Sequence, residues 1–393
     1  MPAPARRHPT ASRLVALLTL VAAALVPGAT DAQSRRSPTS PPRARRAAVV
    51  ARVDSLALAW LREFGLPGVS IAVVRGGRDT VVAKGYGLAD IENAVPVTAQ
   101  SVFEIGSVTK QFTSSLVMRL VERGELSLDD SLGALLPTVP PAWRGVRLRQ
   151  LLNHTSGIPS YTDIGERWTS RIGEDMTPDT LIALTARDSM NFAPGSSWRY
   201  DNTGYVLVGM LLEKRYGRPY ADLVAEQLAT PLGLRATRYC RTDSIVAHRA
   251  HGYGRVKAGL VNAPYLSMTQ PFSAGALCAT ASDLARWNYL LATGKVVSAA
   301  SYQRMTSPEG GALTAPLHYG YGLAVDTVDG HPRVVHGGGI FGFISANAYY
   351  PADSLSVTVL SNAAPSNPDL LLKNVARVVL GLQPRGSGAT STH

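Results

Sequence analysis

The sequence FEIGSVTKQFTSSLVMRLVERG, residues 103–124, joins an amphipathic helical pattern to a pair of polar residues near its start. Ser107 and Lys110 are three positions apart, and this spacing places both side chains on one face of a helix, close enough to touch. Such a pair is either a nucleophile with the base that activates it, or a helix cap beside a solvated lysine. Other parts of the sequence decide between these interpretations.

Lysine is rare in this chain, which has six lysines against 33 arginines, and only Lys110 follows a serine by three positions. A lysine can act as a base where burial or nearby cations lower its pKa, whereas an arginine cannot. Gly106 allows close approach to Ser107, and a helix N-terminus supplies free N–H groups for a developing oxyanion. These features favour catalysis, although a chain of this length contains about one S-x-x-K match by chance.

The composition is that of a globular protein, with 45% hydrophobic and 17% charged residues in 393. The net charge of +11 is concentrated near the start of the chain, because residues 1–32 contribute +2 and residues 33–46 contribute +5. The remaining +4 is too small for a nucleic-acid-binding surface. We therefore expect a small-molecule or peptide substrate and no nucleic-acid partner.

Residues 1–46 have the pattern of an export signal followed by a linker. Three arginines precede or border the apolar run at 14–26, which is too short to span a bilayer, and small residues favour cleavage after Ala32. Residues 33–46 are rich in Pro, Ser and Arg, which predicts a flexible basic linker able to associate with the cell envelope. We expect a periplasmic or extracellular protein, with an uncleaved N-terminal anchor as the alternative.

Several segments have clear helix or strand patterns. Residues 47–68 have helical periodicity, and residues 69–90 predict two strands joined by a Gly-Gly turn. The pattern between residues 105 and 295 is mostly helical, and includes a helix with Ser282 as its N-cap and Gly294 as its end.

Strand patterns return between residues 319 and 362, and a last helix follows at 367–381. Strands at both ends with helices between them predict an α+β fold, with an antiparallel sheet built from both chain ends and a helical region inserted in it. The cleft between these parts would bind the substrate. The predicted divisions are a signal peptide at 1–32, a linker at 33–46, a hydrolase domain at 47–383 (α/β part 47–104 and 296–383, helical part 105–295) and a disordered tail at 384–393.

Two further motifs follow the Ser–Lys pair in order, namely Y-D-N at 200–202 and H-G-G at 336–338. Together with segments such as LLNHTSGIP (151–159) and SAGALCATASDLARW (273–287), they make the chain resemble the serine β-lactamase/penicillin-binding protein superfamily. The most similar branch contains class C β-lactamases, D-alanyl-D-alanine carboxypeptidases and family VIII esterases. The resemblance covers roughly residues 47–381 and implies the β-lactamase/transpeptidase-like fold.

The resemblance also implies a reaction through an acylated serine. Ser107 would be the nucleophile, and Lys110 would take or relay its proton. Tyr200 would act as a phenolate-like relay to the leaving group and later to water, with a pKa lowered by Lys110 and His336. Taken alone, Tyr200 fits better as a packed aromatic residue ahead of a helix, and only the ordered motifs favour the catalytic role.

The same resemblance assigns the binding groups. Asn202 would hold a substrate amide and keep Lys110 in place, although by itself it could be a helix N-cap. The backbone N–H groups of Ser107 and Gly339 would form the oxyanion hole. Gly338 would contact the substrate, although a glycine run could also be only a bulge or a turn in a strand.

The third motif departs from the β-lactamase pattern, in which a lysine is followed by a hydroxyl residue and a glycine. His336 and Gly337 provide neither a permanent charge nor a hydroxyl group for a substrate carboxylate. We expect His336 to hold a carboxylate only when it is protonated, near or below its pKa. Because H-x-G motifs occur in peptidases and esterases of this family, the departure favours those activities over β-lactam hydrolysis.

Other candidate residues are weaker. His154 lies in a framework segment and is expected to be a turn hydrogen-bonder, and His248 and His251 have no third ligand in view. We therefore expect neither a metal nor an organic cofactor. Cys240 and Cys278 fit an oxidising compartment, but their spacing leaves a disulfide undecided.

We expect an exported serine hydrolase that works through an acyl-enzyme on a D-amino-acid peptide, an ester or an amide, with the carboxypeptidase or esterase type favoured. The alternatives are a β-lactamase proper, or a non-catalytic penicillin-recognising protein that keeps only the fold. A binding protein would not need Ser107, Lys110, Tyr200 and Asn202 together. The sequence gives no oligomeric state.

Overall fold

A computed structural model describes residues 42–386 of the chain. The predicted signal peptide and most of the predicted linker lie outside the described residues, as does the end of the predicted tail. A helix begins at Pro42, so the linker ends five residues earlier than predicted, because proline suits a first helical turn and the following Arg and Ala residues favour a helix. No helix in the described residues has the length and apolarity needed to cross a membrane.

The strands of the described residues fall into two groups at the ends of the chain and several short pieces between them. They are β1 (Gly68–Arg75), β2 (Asp79–Asp90), β3 (Val95–Pro96), β4 (Phe103–Glu104), β5 (Arg238–Tyr239), β6 (Tyr253–Val256), β7 (Gly259–Asn262), β8 (Leu277–Ala279), β9 (His318–Tyr319), β10 (Ala324–Val328), β11 (His331–Ile340), β12 (Phe343–Tyr350), β13 (Leu355–Ser361) and β14 (Ala363–Ala364).

The helices lie mostly between these two groups of strands. They are α1 (Pro42–Phe64), α2 (Thr109–Glu122), α3 (Leu132–Leu135), α4 (Leu148–Leu152), α5 (Glu166–Thr169), α6 (Pro178–Thr185), α7 (Asn202–Tyr216), α8 (Tyr220–Leu223), α9 (Thr230–Leu232), α10 (Phe272–Gly275), α11 (Ala281–Ala292), α12 (Ala299–Met305) and α13 (Pro368–Val379). A π-helical turn joins α8 to α9, and 3₁₀ turns occur in the connections.

The main sheet combines both ends of the chain, as predicted. Its eight strands have the order β3-β2-β1-β13-β12-β11-β10-β9, and all neighbours pair antiparallel. The first strand lies beside a late one, with Val69 opposite Ser361. Gly76 and Gly77 have φ of 56° and 70°, and this left-handed pair closes the predicted hairpin between β1 and β2.

Helices cover both faces of this sheet. Val69, Ile71 and Val73 of β1 belong to a core with α1 and α13, whereas the alternate residues Ala72 and Val74 belong to the other core. That second face is covered by α11, which packs against β1, β12 and β13. The predicted helical region at 105–295 thus includes a helix that covers the sheet, because an apolar second face needs a cover and sequence position does not say which helix supplies it.

The ends of helices α7 and α11 are defined by side-chain caps and, for α7, by a left-handed glycine. The side chain of Asp201 accepts a hydrogen bond from the Gly204 N–H at the start of α7, and Gly217 ends this helix with φ of 63°. The N-cap of α11 is Thr280, whose hydroxyl oxygen accepts from the Asp283 N–H, and not Ser282 as predicted.

Two small sheets lie outside the main one, in the orders β4-β8-β5 and β14-β6-β7. Cys278 lies in β8 and Cys240 follows β5, and both are buried with free thiols. The pKa of the Cys278 thiol is raised by its hydrogen bond with Cys240 and by burial. At the chain end, the Arg385 N–H donates to the side chain of Asn374 at 2.9 Å, so the predicted disordered tail begins with ordered residues.

Candidate active site

Ser107 lies on a single 3₁₀ turn, Gly106–Val108, immediately ahead of α2. Gly106 has φ of 51°, and a Cβ atom there would lie 3.0 Å from the backbone nitrogen of Gly339 in β11. A glycine is therefore needed for the turn to press against this strand. Val108 is buried, whereas Ser107 is partly exposed and its side chain borders a cavity.

Lys110 is fully buried beside Ser107. Its Nζ atom lies 2.8 Å from Asn202 Oδ1, 2.9 Å from the Ala274 carbonyl oxygen and 3.1 Å from Ser107 Oγ. The first two atoms can only accept hydrogen bonds, whereas a hydroxyl group can also donate one. A neutral amine that donates to Asn202 and Ala274 thus keeps its lone pair for the Ser107 proton.

The electrostatics favour this neutral amine. Burial holds the pKa of Lys110 well below its ordinary value, and the carboxyl group of Asp201 opposes that shift only in part. The amine also packs over two aromatic rings, 4.7 Å from the ring centre of Tyr200 and 5.2 Å from that of Tyr205. Lys110 is therefore suited to accept a proton at neutral pH.

Asn202 anchors this lysine from the first turn of α7. Because Asp201 caps the helix, the Asn202 side chain is free for another use. Its Oδ1 accepts from Lys110, and its Nδ2 donates to Thr162 Oγ1 at 3.2 Å. The structure thus places Asn202 beside Lys110, as the resemblance implies, and not in the N-cap position.

Tyr200 borders the same site, but its protonation differs from the prediction. Its buried hydroxyl group has no hydrogen-bond partner among residues 42–386. Burial raises the pKa of Tyr200. The nearby Ser107 hydroxyl group lowers it in part, and the negative charge of Asp201 raises it further. The expected lowering by Lys110 and His336 was wrong, because neither side chain carries the charge that would stabilise a phenolate. Tyr200 therefore stays a phenol that can donate its proton.

His336 cannot act as the charged group that was expected. Its Nδ1 lies 2.5 Å from the carbonyl oxygen of Gly337, and because a carbonyl oxygen can only accept, Nδ1 carries the proton. Its Nε2 then accepts a hydrogen bond from the Tyr319 hydroxyl group at 2.7 Å. Burial lowers its pKa to about 3. Both ring nitrogens are occupied and the ring is neutral. The expectation that His336 holds a carboxylate is therefore corrected.

The glycines of β11 have separate tasks. A Cβ atom on Gly338 would lie 1.9 Å from the Ile105 carbonyl oxygen, so this glycine allows β11 to pack against the strand-turn segment that precedes Ser107. Gly339 is exposed and borders the same cavity as Ser107. This arrangement is compatible with an oxyanion hole made of the N–H groups of Ser107 and Gly339.

His154 makes hydrogen bonds from a left-handed turn position, as expected from the sequence, and it also contacts Tyr200. Its carbonyl oxygen accepts from Arg199 N–H and its Nδ1 accepts from Asp201 N–H, each at 3.1 Å. Its ring centre lies 4.2 Å from that of Tyr200. His154 thus holds Tyr200 through both neighbouring residues and through the ring itself. No sequence motif marks this role, since the contacts arise only when two distant segments meet.

Two cavities meet at this site. The serine pocket, of about 350 Å³, is bordered by Ser107 and Asn202 and by apolar side chains that include Trp168 and Phe341. The tyrosine pocket, of about 550 Å³, is bordered by Tyr200, His336 and residues of β10, β11 and α13. Gly339 of β11 and Ile344 of β12 border both cavities, so the two cavities adjoin at this part of the sheet.

Comparisons with known proteins agree with this architecture. Penicillin-binding protein 4* of Bacillus subtilis is 29% identical over 305 residues, covering 73% of this chain and 66% of the relative. The D-aminopeptidase of Brucella canis is 27% identical over 320 residues, covering 81% of this chain and 60% of the relative. The crystal structure of a D-stereospecific amidohydrolase from Streptomyces sp. is 27% identical, with a TM-score of 0.69, and covers 86% of this chain and 98% of that protein.

This chain spans about 60–66% of the length of the two curated relatives. A model of the family described as β-lactamase matches residues 25–381. The antiparallel sheet with helices on both faces is the α+β, β-lactamase/transpeptidase-like fold that the sequence predicted. The chain therefore belongs to the β-lactamase family.

Proposed function

We propose that the chain is an exported serine hydrolase that acts through an acyl-enzyme on D-amino-acid amides, peptides or esters. The observation that carries this proposal is the contact of Ser107 Oγ with the buried amine of Lys110, whose other two partners can only accept hydrogen bonds. A serine becomes a nucleophile when a neighbouring base accepts its proton.

The proposed reaction has two stages. Ser107 Oγ attacks the substrate carbonyl carbon while its proton passes to Lys110, and the N–H groups of Ser107 and Gly339 stabilise the oxyanion. The bond to the leaving group then breaks as Tyr200 donates its proton to that group and is reprotonated from Lys110. Water attacks the acyl-enzyme by the reverse proton route and releases the acid.

The preference for D-amino-acid substrates rests on the relatives. One is named a D-aminopeptidase and another a D-stereospecific amidohydrolase. Because a neutral His336 offers no charge to a carboxylate beside the scissile bond, the site supports an amidase, aminopeptidase or esterase over a carboxypeptidase or β-lactamase.

A labelling experiment tests the nucleophile. We expect a fluorophosphonate to label the purified wild-type protein at Ser107 and to leave Ser107→Ala unlabelled. Hydrolysis of D-phenylalanine amide and of p-nitrophenyl acetate should be lost in the same variant. Equal labelling of both proteins would show that Ser107 is not the nucleophile, and a protein that is neither labelled nor active would favour a non-catalytic, binding role.

Export and envelope association are supported by the pattern of residues 1–46 alone. N-terminal sequencing of protein recovered from the periplasm or the medium should give Gln33 as the first residue. Recovery of an uncleaved chain from the membrane fraction would instead favour an N-terminal anchor.

Deleting residues 33–41 should reduce any association with envelope preparations that high salt disrupts.

A further inference from the structure

We propose that the tyrosine pocket receives the leaving group of the substrate, and that this group is a bulky, apolar and uncharged alcohol or amine. This inference rests on the proposed function, and it specifies the substrate on the side of the scissile bond that the relatives' names leave undefined.

The positions of the proton donor and the nucleophile determine which pocket takes which part of the substrate. Ser107 and Asn202 border the serine pocket, and Tyr200 borders the tyrosine pocket. A carbonyl group held at Gly339 lies at the boundary between the two. Because Tyr200 must reach the departing oxygen or nitrogen atom, the leaving group points into the tyrosine pocket, and the acyl group remains with Asn202.

The tyrosine pocket is large and mostly apolar. Trp198, Leu317, Val335 and Ile344 contribute its apolar wall. Gly337 is exposed on the same strand, and a Cβ atom there would have its nearest neighbour only at 3.5 Å, so the missing side chain leaves room for a ligand. Ammonia or methanol would leave most of the roughly 550 Å³ unfilled. Burying an apolar group there would instead contribute about 25 cal/mol per Å².

The charged groups that border the pocket already neutralise one another. The guanidinium group of Arg333, whose side chain is 3% exposed, donates to both Asp326 and Asp369. Lys373 pairs with Asp369 at 2.9 Å. Two cations and two carboxylates thus balance, and the adjacent His336 is already bound to Tyr319. A carboxylate on the leaving group would lose water without gaining a free cation.

Three esters of D-phenylalanine test the inference. The methyl and benzyl esters have leaving alcohols of similar acidity, and the 4-carboxybenzyl ester has the same ring with a negative charge. We expect kcat/KM for the benzyl ester to exceed that for the methyl ester by about tenfold or more, and to exceed that for the 4-carboxybenzyl ester by about tenfold. Equal values for methyl and benzyl, or a preference for the charged ester, would overturn the inference.

Two surface variants test whether the preference for the benzyl ester arises in the tyrosine pocket. Leu317, which is 47% exposed, borders the pocket, whereas Leu313, which is 60% exposed, belongs to the same connection but does not border it. Leu317→Asp should reduce the benzyl-to-methyl ratio of kcat/KM about fivefold or more, and Leu313→Asp should leave this ratio unchanged. An unchanged ratio in Leu317→Asp, or the same change in both variants, would contradict the assignment of the pocket.

The two proposals fail in different ways. If none of the three esters is hydrolysed in a Ser107-dependent manner and Ser107 is not labelled, the proposed function itself is wrong. If hydrolysis requires Ser107 but the benzyl ester has no advantage, only the assignment of the leaving-group pocket is wrong.

Discussion

The protonation of a single side chain, Lys110, determines whether Ser107 can react. Burial holds the pKa of this amine well below its ordinary value, which favours the neutral base, and kcat/KM should fall as the pH is lowered through that pKa. His336, with a pKa of about 3, should add no inflection between pH 5 and 8. A pH–rate profile measured with an uncharged ester checks both points, and an inflection near pH 6.5 that disappears in His336→Ala would contradict this account.

Replacement of the base tests the same residue directly. An arginine cannot lose its proton at neutral pH, and a methionine has no basic group, so Lys110→Arg and Lys110→Met should each lower kcat by about 10²–10⁴-fold. Circular dichroism should show that the methionine variant is folded, since an apolar chain of similar length fills the buried site. Activity within tenfold of the wild type in a folded variant would exclude Lys110 as the base.

Substitutions of His154 should act by changing the position of Tyr200, because His154 contacts its ring and hydrogen-bonds the backbone beside it. Asparagine tolerates the left-handed backbone found here, with φ of 63°, and its Oδ1 can accept from the Asp201 N–H as the histidine Nδ1 does. Phenylalanine keeps the ring but leaves that buried N–H unpaired, at a cost of about 1–3 kcal/mol. We expect His154→Asn to retain kcat within about tenfold and His154→Phe to lose more.

Two further measurements separate positioning from general destabilisation. Fluorophosphonate labelling of Ser107 should persist in both His154 variants, and KM should change less than kcat. If kcat per labelled molecule is the same in wild type and His154→Phe, His154 contributes only to stability.

This histidine could not be identified from sequence, whereas Ser107, Lys110 and Asn202 could, because motif spacing reports a local helix face and not a contact between distant loops.

Among the elements, helix α7 begins at an N-cap aspartate, Asp201, whose pKa is raised. Asp201 Oδ1 accepts from the Gly204 N–H and its Oδ2 accepts from Ser156 Oγ, both at 3.0 Å. Burial nevertheless raises its pKa to about 7. Since the unfolded chain releases this proton near pH 4, the folded state binds more protons between about pH 4 and 7, and the contribution of Asp201 to stability falls as the pH rises through that window.

Asp201→Asn isolates this contribution, because asparagine can still cap the helix but does not titrate. We expect the wild type, relative to the variant, to lose about 2–3 kcal/mol of its free energy of unfolding between pH 5 and pH 8. Urea unfolding of both proteins at the two pH values measures this difference. A difference that does not depend on pH would mean that Asp201 has an ordinary pKa in the folded state.

The elements themselves were predictable where local chemistry dominates. The Gly-Gly hairpin, the strands of the last third and helix α13 are present as expected. The N-cap of α11 was misplaced by two residues, because Thr280 and Ser282 are both suitable capping residues and only the backbone geometry distinguishes them. The short strands β5 to β8 were missed, since they are too short for a periodic signal.

At the scale of the whole molecule, a buried polar network connects the catalytic helix to the sheet. Gln111, next to Lys110 on α2, accepts a hydrogen bond from Trp287 of α11 at 2.9 Å. On the same α11, Asn288 exchanges hydrogen bonds with Asn347 of β12 at 2.8 and 2.7 Å, and Asn347 also accepts from Thr358 of β13 at 2.7 Å. Motif order predicted the fold class, but this connection depends on the packing of α11 against the sheet, which motif order does not report.

Asn347 is the central member of this network, and it lies opposite His336 in the pairing of β11 with β12. Asn347→Ala should leave Asn288 Oδ1 and the Thr358 hydroxyl group without their hydrogen bonds, and lower the free energy of unfolding by about 2–4 kcal/mol, as measured by urea denaturation. A double-mutant cycle with Asn288→Ala should give a coupling energy of about 0.5–3 kcal/mol. If the two substitutions are additive, the network does not act as a unit.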